Sequence, residues 1–292
     1  MTGTIIKGIG GFYYVYAEDG EIYSCKAKGG FRRQKITPLV GDEVEFTPLH
    51  GEEITGGLDE ILPRKNSLIR PAIANVEVIL VVFAAKTPDP DFNLLDRFLL
   101  RMESEGVECI IVVNKSDLAS QEELDLFKEE LKGSNYRVIF SSTKTKLGQD
   151  EILDAIKDKR AAVAGPSGVG KSSLINNICP ENKMETGELS EKIARGKHTT
   201  RHAELLPVMD NTFIFDTPGF SSADIPMVEK EELRDLYPEY VKLEPGCRFS
   251  LCLHENEPDC AIKDAVSEGA ISQGRHQRYI GFLTEVKNRS KY

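Results

Sequence analysis

Three short segments of this 292-residue chain carry the residue types that hold a nucleoside triphosphate. In chain order they are Asn114-Lys115-Ser116-Asp117, then Gly165-Pro166-Ser167-Gly168-Val169-Gly170-Lys171-Ser172, then Asp216-Thr217-Pro218-Gly219. The middle segment is a glycine-rich phosphate loop, whose backbone N–H groups and following helix N-terminus face anionic oxygens. Gly165 to Ser173 are therefore the candidate phosphate contacts. Lys171 is expected on the β- and γ-phosphates, and Ser172 on a Mg²⁺ ion bridging them. The Asp117 carboxylate can accept from guanine N1–H and N2–H₂ together, whereas adenine would leave it facing a lone pair. Asn114 is expected to tie this base reader to the phosphate loop, and the stem of Lys115 to cover the ring. Ser141 and Ser142 are expected to supply backbone contacts to guanine O6. Asp216 is the expected Mg²⁺ partner, directly or through water, and the Gly219 N–H the sensor of the γ-phosphate.

The order is the informative part. An ordinary GTPase places the phosphate loop first and the base reader last; here the base reader precedes, as if the ends of the domain had been rejoined elsewhere. The attacking water also needs a new partner. Ras-type enzymes orient it with a Gln just after the third motif's Gly, and Phe220 stands there in this chain. Arg195-Gly196-Lys197-His198-Thr199-Thr200-Arg201-His202 lies where the first switch belongs. Thr200, or its neighbour Thr199, is the expected Mg²⁺ ligand. His198 is the candidate that positions or deprotonates the water. Without a fixed Gln the intrinsic rate should be slow, and an activating partner is expected, since placing such groups supplies ~10³–10⁵ in rate.

A second chemistry lies near the C-terminus. Cys247, Cys252, His254 and Cys260 offer three thiolates and one imidazole in a short turn-rich stretch. This donor set matches one tetrahedral structural Zn²⁺ with no open position. The stretch is polar, so the metal is expected to supply most of its folding energy.

The elements that must position these groups divide the chain into three: 1–68, 69–225 and 226–292. The first third reads as short strands (Gly11–Tyr16, Glu21–Lys26, Asp42–Phe46, a run near Ile61) separated by Gly- and Pro-rich turns, as in a small OB-type barrel. Lys26, Lys28, Arg32, Arg33 and Lys35, with Phe31 among them, form either a solvated loop or a nucleic-acid face. Residues 63–71 read as a linker. From Val76 onward strands and helices alternate, predicting a mostly parallel sheet with the ligand at its C-terminal strand edges. Helices are expected over 261–266 and 275–286, where Arg275, His276, Arg278 and Tyr279 form a candidate second nucleic-acid surface. The formal net charge of −10 argues against indiscriminate nucleic-acid binding and leaves room for local basic patches. No apolar run reaches membrane-spanning length and no secretory pattern opens the chain, so a cytoplasmic protein is expected.

Taken together, the permuted motif order, the phosphate loop, Gly196-Lys197-His198-Thr199-Thr200, Asp216-Thr217-Pro218-Gly219-Phe220 and the Cys-Cys-His-Cys spacing resemble the circularly permuted, ribosome-dependent GTPases of the RsgA type, also called YjeQ or YloQ. The resemblance covers essentially the whole chain. It implies a multidomain α/β protein: an N-terminal OB-type barrel, a permuted P-loop GTPase domain and a zinc-bearing, mainly helical C-terminal domain. It implies GTP hydrolysis stimulated by the small (30S) ribosomal subunit, late in that subunit's maturation, with the barrel and zinc domain touching 16S rRNA. A monomer is expected. The family usually carries Arg where Lys197 stands, a change that keeps the charge. Because the third motif runs directly into the zinc-bearing segment, hydrolysis is expected to change the angle between the GTPase and zinc domains. Two rival readings, a P-loop kinase or ATPase and a non-enzymatic RNA scaffold, run against Asn114–Asp117 and against the intact Lys171, Ser172 and Asp216 respectively.

Overall fold

The computed structural model describes residues 1–34, 36–49, 54–69, 71–179, 203–217 and 224–289, with backbone alone for 32–34. His198, Thr200, Gly219 and Phe220, with the rest of the expected first switch, lie outside the described residues, as does Lys35. The chain divides into two compact units: 1–79, 149–163 and 171–220 in one, 80–148, 164–170 and 221–292 in the other.

The first unit opens with β1 (Thr2–Ile9), β2 (Phe12–Ala17), β3 (Ile22–Ala27), α1 (Gly29–Gln34), β4 (Glu43–Leu49) and β5 (Thr55–Ile61). Five strands close into a barrel in the order β1-β2-β3-β5-β4, with β4 pairing back onto β1. Alternation puts Ile5, Val15, Cys25, Val44, Phe46 and Leu58 inside, all at most 1% exposed. Two expectations change here. β1, the strand that closes the barrel, carries weak alternation and was not expected. The basic loop contains α1, and Phe31 is buried, so its ring is not available to stack on a base. Among the described residues of the barrel, Phe12 does present its ring, 39% exposed, with the Lys26 ammonium 4.8 Å from its centroid.

The segment expected as a linker is pinned. Arg64 donates to both carboxylate oxygens of buried Asp42 (2.7 and 2.8 Å), and Asn66 exchanges hydrogen bonds with the backbone of Val76. Two short strands, β6 (Ser67–Leu68) and β7 (Ile73–Ala74), pair between them.

The second unit holds β8 (Val78–Ala84, from its third residue), α2 (Phe92–Ser104), β9 (Glu108–Asn114), α3 (Gln121–Glu130) and β10 (Arg137–Phe140). Its strands run in the order β10-β9-β8, with β9 and β10 parallel. β8 is buried along its whole length, as a strand covered on both faces must be. Asp91 caps α2 by accepting from Leu94 N–H at 3.0 Å. Ser120 and Glu123 form a reciprocal capping box that starts α3 directly after the base-reading motif.

The chain then returns to the first unit with α4 (Gln149–Ile156), β11 (Arg160–Ala164), α5 (Lys171–Ile178), β12 (Glu204–Met209) and β13 (Thr212–Asp216). β11 and β13 are parallel, as expected; β12, absent from the sequence reading, is antiparallel to β13 and pairs with barrel strand β1.

Residues 224–289 complete the second unit with α6 (Pro238–Leu243), α7 (Ala261–Ser267) and α8 (Gln273–Arg289). Leu233, Tyr237, Tyr240, Ile262, Tyr279, Phe282 and Leu283 pack into one apolar cluster that includes Cys252 and Cys260. The metal-ligand stretch thus rests on a formed core, which lowers the share of folding energy expected from metal. α8 also corrects the expected nucleic-acid surface. Arg275 and Tyr279 are 1% and 0% exposed. Arg275 pairs with Asp96 and, at 2.5 Å, with Glu239; Arg278 reaches Asp96 at 2.5 Å and also Glu130. These cations bind the fold internally. Among the described residues no helix is long and apolar enough to cross a membrane.

Candidate functional site

In the second unit, β9 ends at Asn114, which is fully buried. Its side-chain N–H donates to the Val169 carbonyl at 2.8 Å. Its Oδ1 accepts from Ser141 Oγ (3.4 Å) and from Thr143 N–H (3.3 Å). One side chain therefore joins the segment expected to read the base, the glycine-rich loop and the segment after β10. Lys115 sits at φ 59° and donates to the carbonyls of Gly168, at 2.7 Å, and of Thr87. That left-handed residue starts the 3₁₀ turn Ser116–Leu118, which leaves Asp117 exposed while Ser116 N–H donates to Ser141 O at 3.0 Å. Ser141 and Ser142 are both buried, and Ser142 Oγ accepts from Thr145 N–H at 3.1 Å, holding the next turn.

The phosphate loop leaves the buried end of β11. Gly165 (φ 140°) and Gly170 (φ 98°) must be glycine: a Cβ would collide with the Val82 carbonyl at the first and with the Asn114 amide at the second. Val169 is buried as the loop's anchor, whereas Ser167 and Gly168 are exposed and Pro166 is half-buried. Thus the expected base reader and loop meet inside one compact unit.

In the first unit, Lys171 opens α5, half-buried, and burial lowers the pKa of its ammonium. Ser172 and Ser173 follow in the first turn, both exposed. Asp216 ends β13, half-buried. Its pKa is raised by burial first and by the neighbouring Glu204 charge second. A carboxylate held in that condition gains from a divalent cation.

The fourth cluster is in the second unit. The ligand atoms of Cys247, Cys252, His254 and Cys260 all lie within 4.8 Å of one another. His254 Nδ1 is 3.3 Å from Cys260 Sγ and 3.7 Å from Cys247 Sγ; Cys247 and Cys260 sulfurs are 3.9 Å apart. A tetrahedron with Zn–S bonds of about 2.3 Å has edges of roughly 3.8 Å, so the donors already stand near bonding positions. Burial pushes the Cys252 thiol up to about 12 and the His254 imidazole down to about 4. The imidazole is thus neutral with a lone pair to give, and a cation would stabilise the thiolates. The donor set fits a divalent metal.

Sequence reasoning missed two participants, Thr87 and Thr143. Both act through backbone atoms, which leave no residue-type signature. Lys86-Thr87-Pro88 reads as an ordinary turn, although Pro88 Cδ lies 3.9 Å from where a Gly168 Cβ would stand.

Known proteins agree with this geometry. A family model described as RsgA GTPase matches residues 61–226, and one described as RsgA N-terminal domain matches residues 2–54. A protein of Agathobacter rectalis named small ribosomal subunit biogenesis GTPase RsgA is 54% identical over the full length of both chains. One of the same name from Clostridium acetobutylicum is 44% identical, again over 100% of each chain. The crystal structure of YjeQ from Thermotoga maritima is similar with a TM-score of 0.82 and 34% identity, covering 98% of each chain. That of YloQ, described as a circularly permuted GTPase, is similar with a TM-score of 0.79 and 38% identity, covering 99% of this chain and 95% of the other. The inverted motif order is therefore a circular permutation of the nucleotide-binding fold, and this chain belongs to the RsgA GTPase family.

Proposed function

We propose that this protein is a GTP hydrolase of small ribosomal subunit biogenesis, acting late in maturation and hydrolysing GTP with Mg²⁺ when engaged with the 30S subunit. One observation carries the reading: Asn114 joins the guanine-reading segment to the phosphate loop through Val169, although 55 residues separate them in the unusual direction. Asp117 selects guanine. The backbone of Gly165–Gly170, with Lys171, Ser172 and Ser173, holds the phosphates. Mg²⁺, when bound, neutralises the β- and γ-phosphates; Ser172, Asp216 and Thr200 are its proposed partners. Gly219 senses the γ-phosphate, and His198 positions or deprotonates the water. These last roles rest on motif position alone for His198, Thr200 and Gly219.

The Cys247, Cys252, His254 and Cys260 cluster is proposed to hold one structural Zn²⁺, supported by three thiols and one imidazole already converging. The proposed domains are 1–68, 69–225 and 226–292. 16S rRNA is the proposed partner of the barrel, and the exposed Phe12 ring with its Lys26 cation supports a stacking contact there. A cytoplasmic monomer is the state in which this work would be done. The test is GTP turnover of the purified chain with and without purified small subunits. Turnover should be slow alone and rise by ~10³-fold or more with subunits; equal rates would refute the proposal.

A further inference from the structure

The barrel is expected to serve ribosomal RNA, yet one of its side chains points the other way in function. Strand β1 breaks register between Ile5 and Lys7. Before the break, Thr2–Thr4 pair with β4; after it, Lys7 pairs with Glu204 of β12. Glu204 in turn is the direct register partner of Asp216 on β13. Residues directly opposite in antiparallel strands project from the same face, so Lys7, Glu204 and Asp216 form one row across three strands, with charges plus, minus, minus. Both Glu204 carboxylate oxygens lie 3.0 Å from the Lys7 ammonium. The two side chains are only 13% and 30% exposed, so water screens the row incompletely.

We propose that Lys7 is a positioning residue of the magnesium end of the nucleotide site: it holds and neutralises Glu204, so that the triphosphate meets the charge of Asp216 alone. The inference rests on the assignment of Asp216 to Mg²⁺. Its physical content is a charge count. With Lys7 in place the row carries one net negative charge. Without it, two carboxylates stand side by side at the end of β13, and Glu204 is free to compete for the metal or to repel the γ-phosphate. Glu204 already bears on Asp216, raising its pKa second only to burial. The barrel thus contributes a side chain to nucleotide binding as well as a surface to the partner.

The experiment is equilibrium binding of a fluorescent non-hydrolysable GTP analogue, and of GDP, to the full-length chain across a Mg²⁺ titration. Lys7→Ala should weaken the Mg²⁺-bound GTP analogue about tenfold, the scale of one unit charge at roughly 10 Å through an effective dielectric near 20, and GDP less than about threefold. Adding Glu204→Gln to Lys7→Ala should restore binding to within about twofold, because a neutral side chain needs no counter-charge. Lys7→Arg should bind like the parent. Unchanged affinity in Lys7→Ala, or a loss that Glu204→Gln does not restore, overturns the proposal. Should Lys7→Ala fail to fold, Glu204→Gln alone decides: it takes one negative charge out of the row, so binding of the Mg²⁺-bound GTP analogue tighter by about tenfold supports the charge argument, and unchanged or weaker binding overturns it. Asp216→Asn separates the two levels. If it leaves the Mg²⁺ dependence intact, the magnesium assignment falls and takes the proposal with it. If it abolishes that dependence while Lys7→Ala does nothing, only the role of Lys7 is lost.

Discussion

At the scale of single residues, Asn114 and Asp117 divide one task. Asn114 is fully buried and spends its amide on the fold, donating to Val169 O and accepting from Ser141 and Thr143. Asp117 is exposed on the same short segment, where the proposed contact of its carboxylate with a base would be made. The division predicts different outcomes for the two positions. Asp117→Asn should weaken GTP about 100-fold, the scale of losing charge-assisted hydrogen bonds to guanine N1–H and N2–H₂. It should also turn preference toward xanthosine triphosphate, whose C2 carbonyl accepts from the new amide. Competition binding with the two nucleotides checks this, and retained guanine preference would sink the assignment. The tie of Asn114 to the phosphate loop was readable in the sequence because four consecutive residues define the motif; the guanine contact of Asp117 is the proposal that this substitution tests. Lys7 was not readable, since its meaning comes from Glu204, 197 residues away. Arg275 was misread for the same reason. A cation on an amphipathic helix looks solvated until its carboxylates arrive from Asp96 and Glu239, 179 and 36 residues distant.

At the scale of elements, the sequence showed what periodicity and caps can show. α2 was readable from Leu95, Phe98, Leu99 and Met102, spaced to bury one face, and α5 from its phosphate loop. β1 and β12 were not, because each is defined by the register of its partners more than by its own alternation. What holds α8 in place was also illegible, and it sets the energetics of the C-terminal part. Burial works against the Arg275 charge, but Asp96 and Glu239 outweigh it and hold the guanidinium charged. Removing that cation takes the counter-charge from buried Glu239 and leaves Asp96 with Arg278 alone, which costs about 3–5 kcal/mol. Arg275→Met should therefore lower stability by about that amount in chemical denaturation, against roughly 0.5 kcal/mol or less for an exposed arginine. A change below about 1 kcal/mol would restore the reading of α8 as a solvent-facing basic surface.

At the scale of the molecule, the motif order suggested that hydrolysis tilts the GTPase and zinc-bearing domains against each other. The ion pairs of α8 oppose this. Asp96 belongs to α2, which leads to the base-reading strand β9, and Glu130 belongs to α3, which follows the base-reading turn. Arg275 and Arg278 bind α8 to both helices, and Arg97 of α2 reaches Glu285 of α8 at 2.7 Å. Stripping even one of the buried pairs costs about 3–5 kcal/mol, whereas a ligand's coupling to a distant equilibrium is typically about 1–3 kcal/mol. By that comparison the γ-phosphate alone does not open the clamp. Solution scattering from the purified chain should superimpose with GDP and with a non-hydrolysable GTP analogue, and diverge when Arg97→Met, Arg275→Met and Arg278→Met are combined, where all the ion pairs of the clamp are gone. Divergence in the parent protein would mean that the γ-phosphate commands more energy than this clamp resists. If the profiles superimpose, the tilt has to draw on the binding energy of the ribosomal subunit. GTP would then act as a condition for docking, and the large motion would belong to the complex.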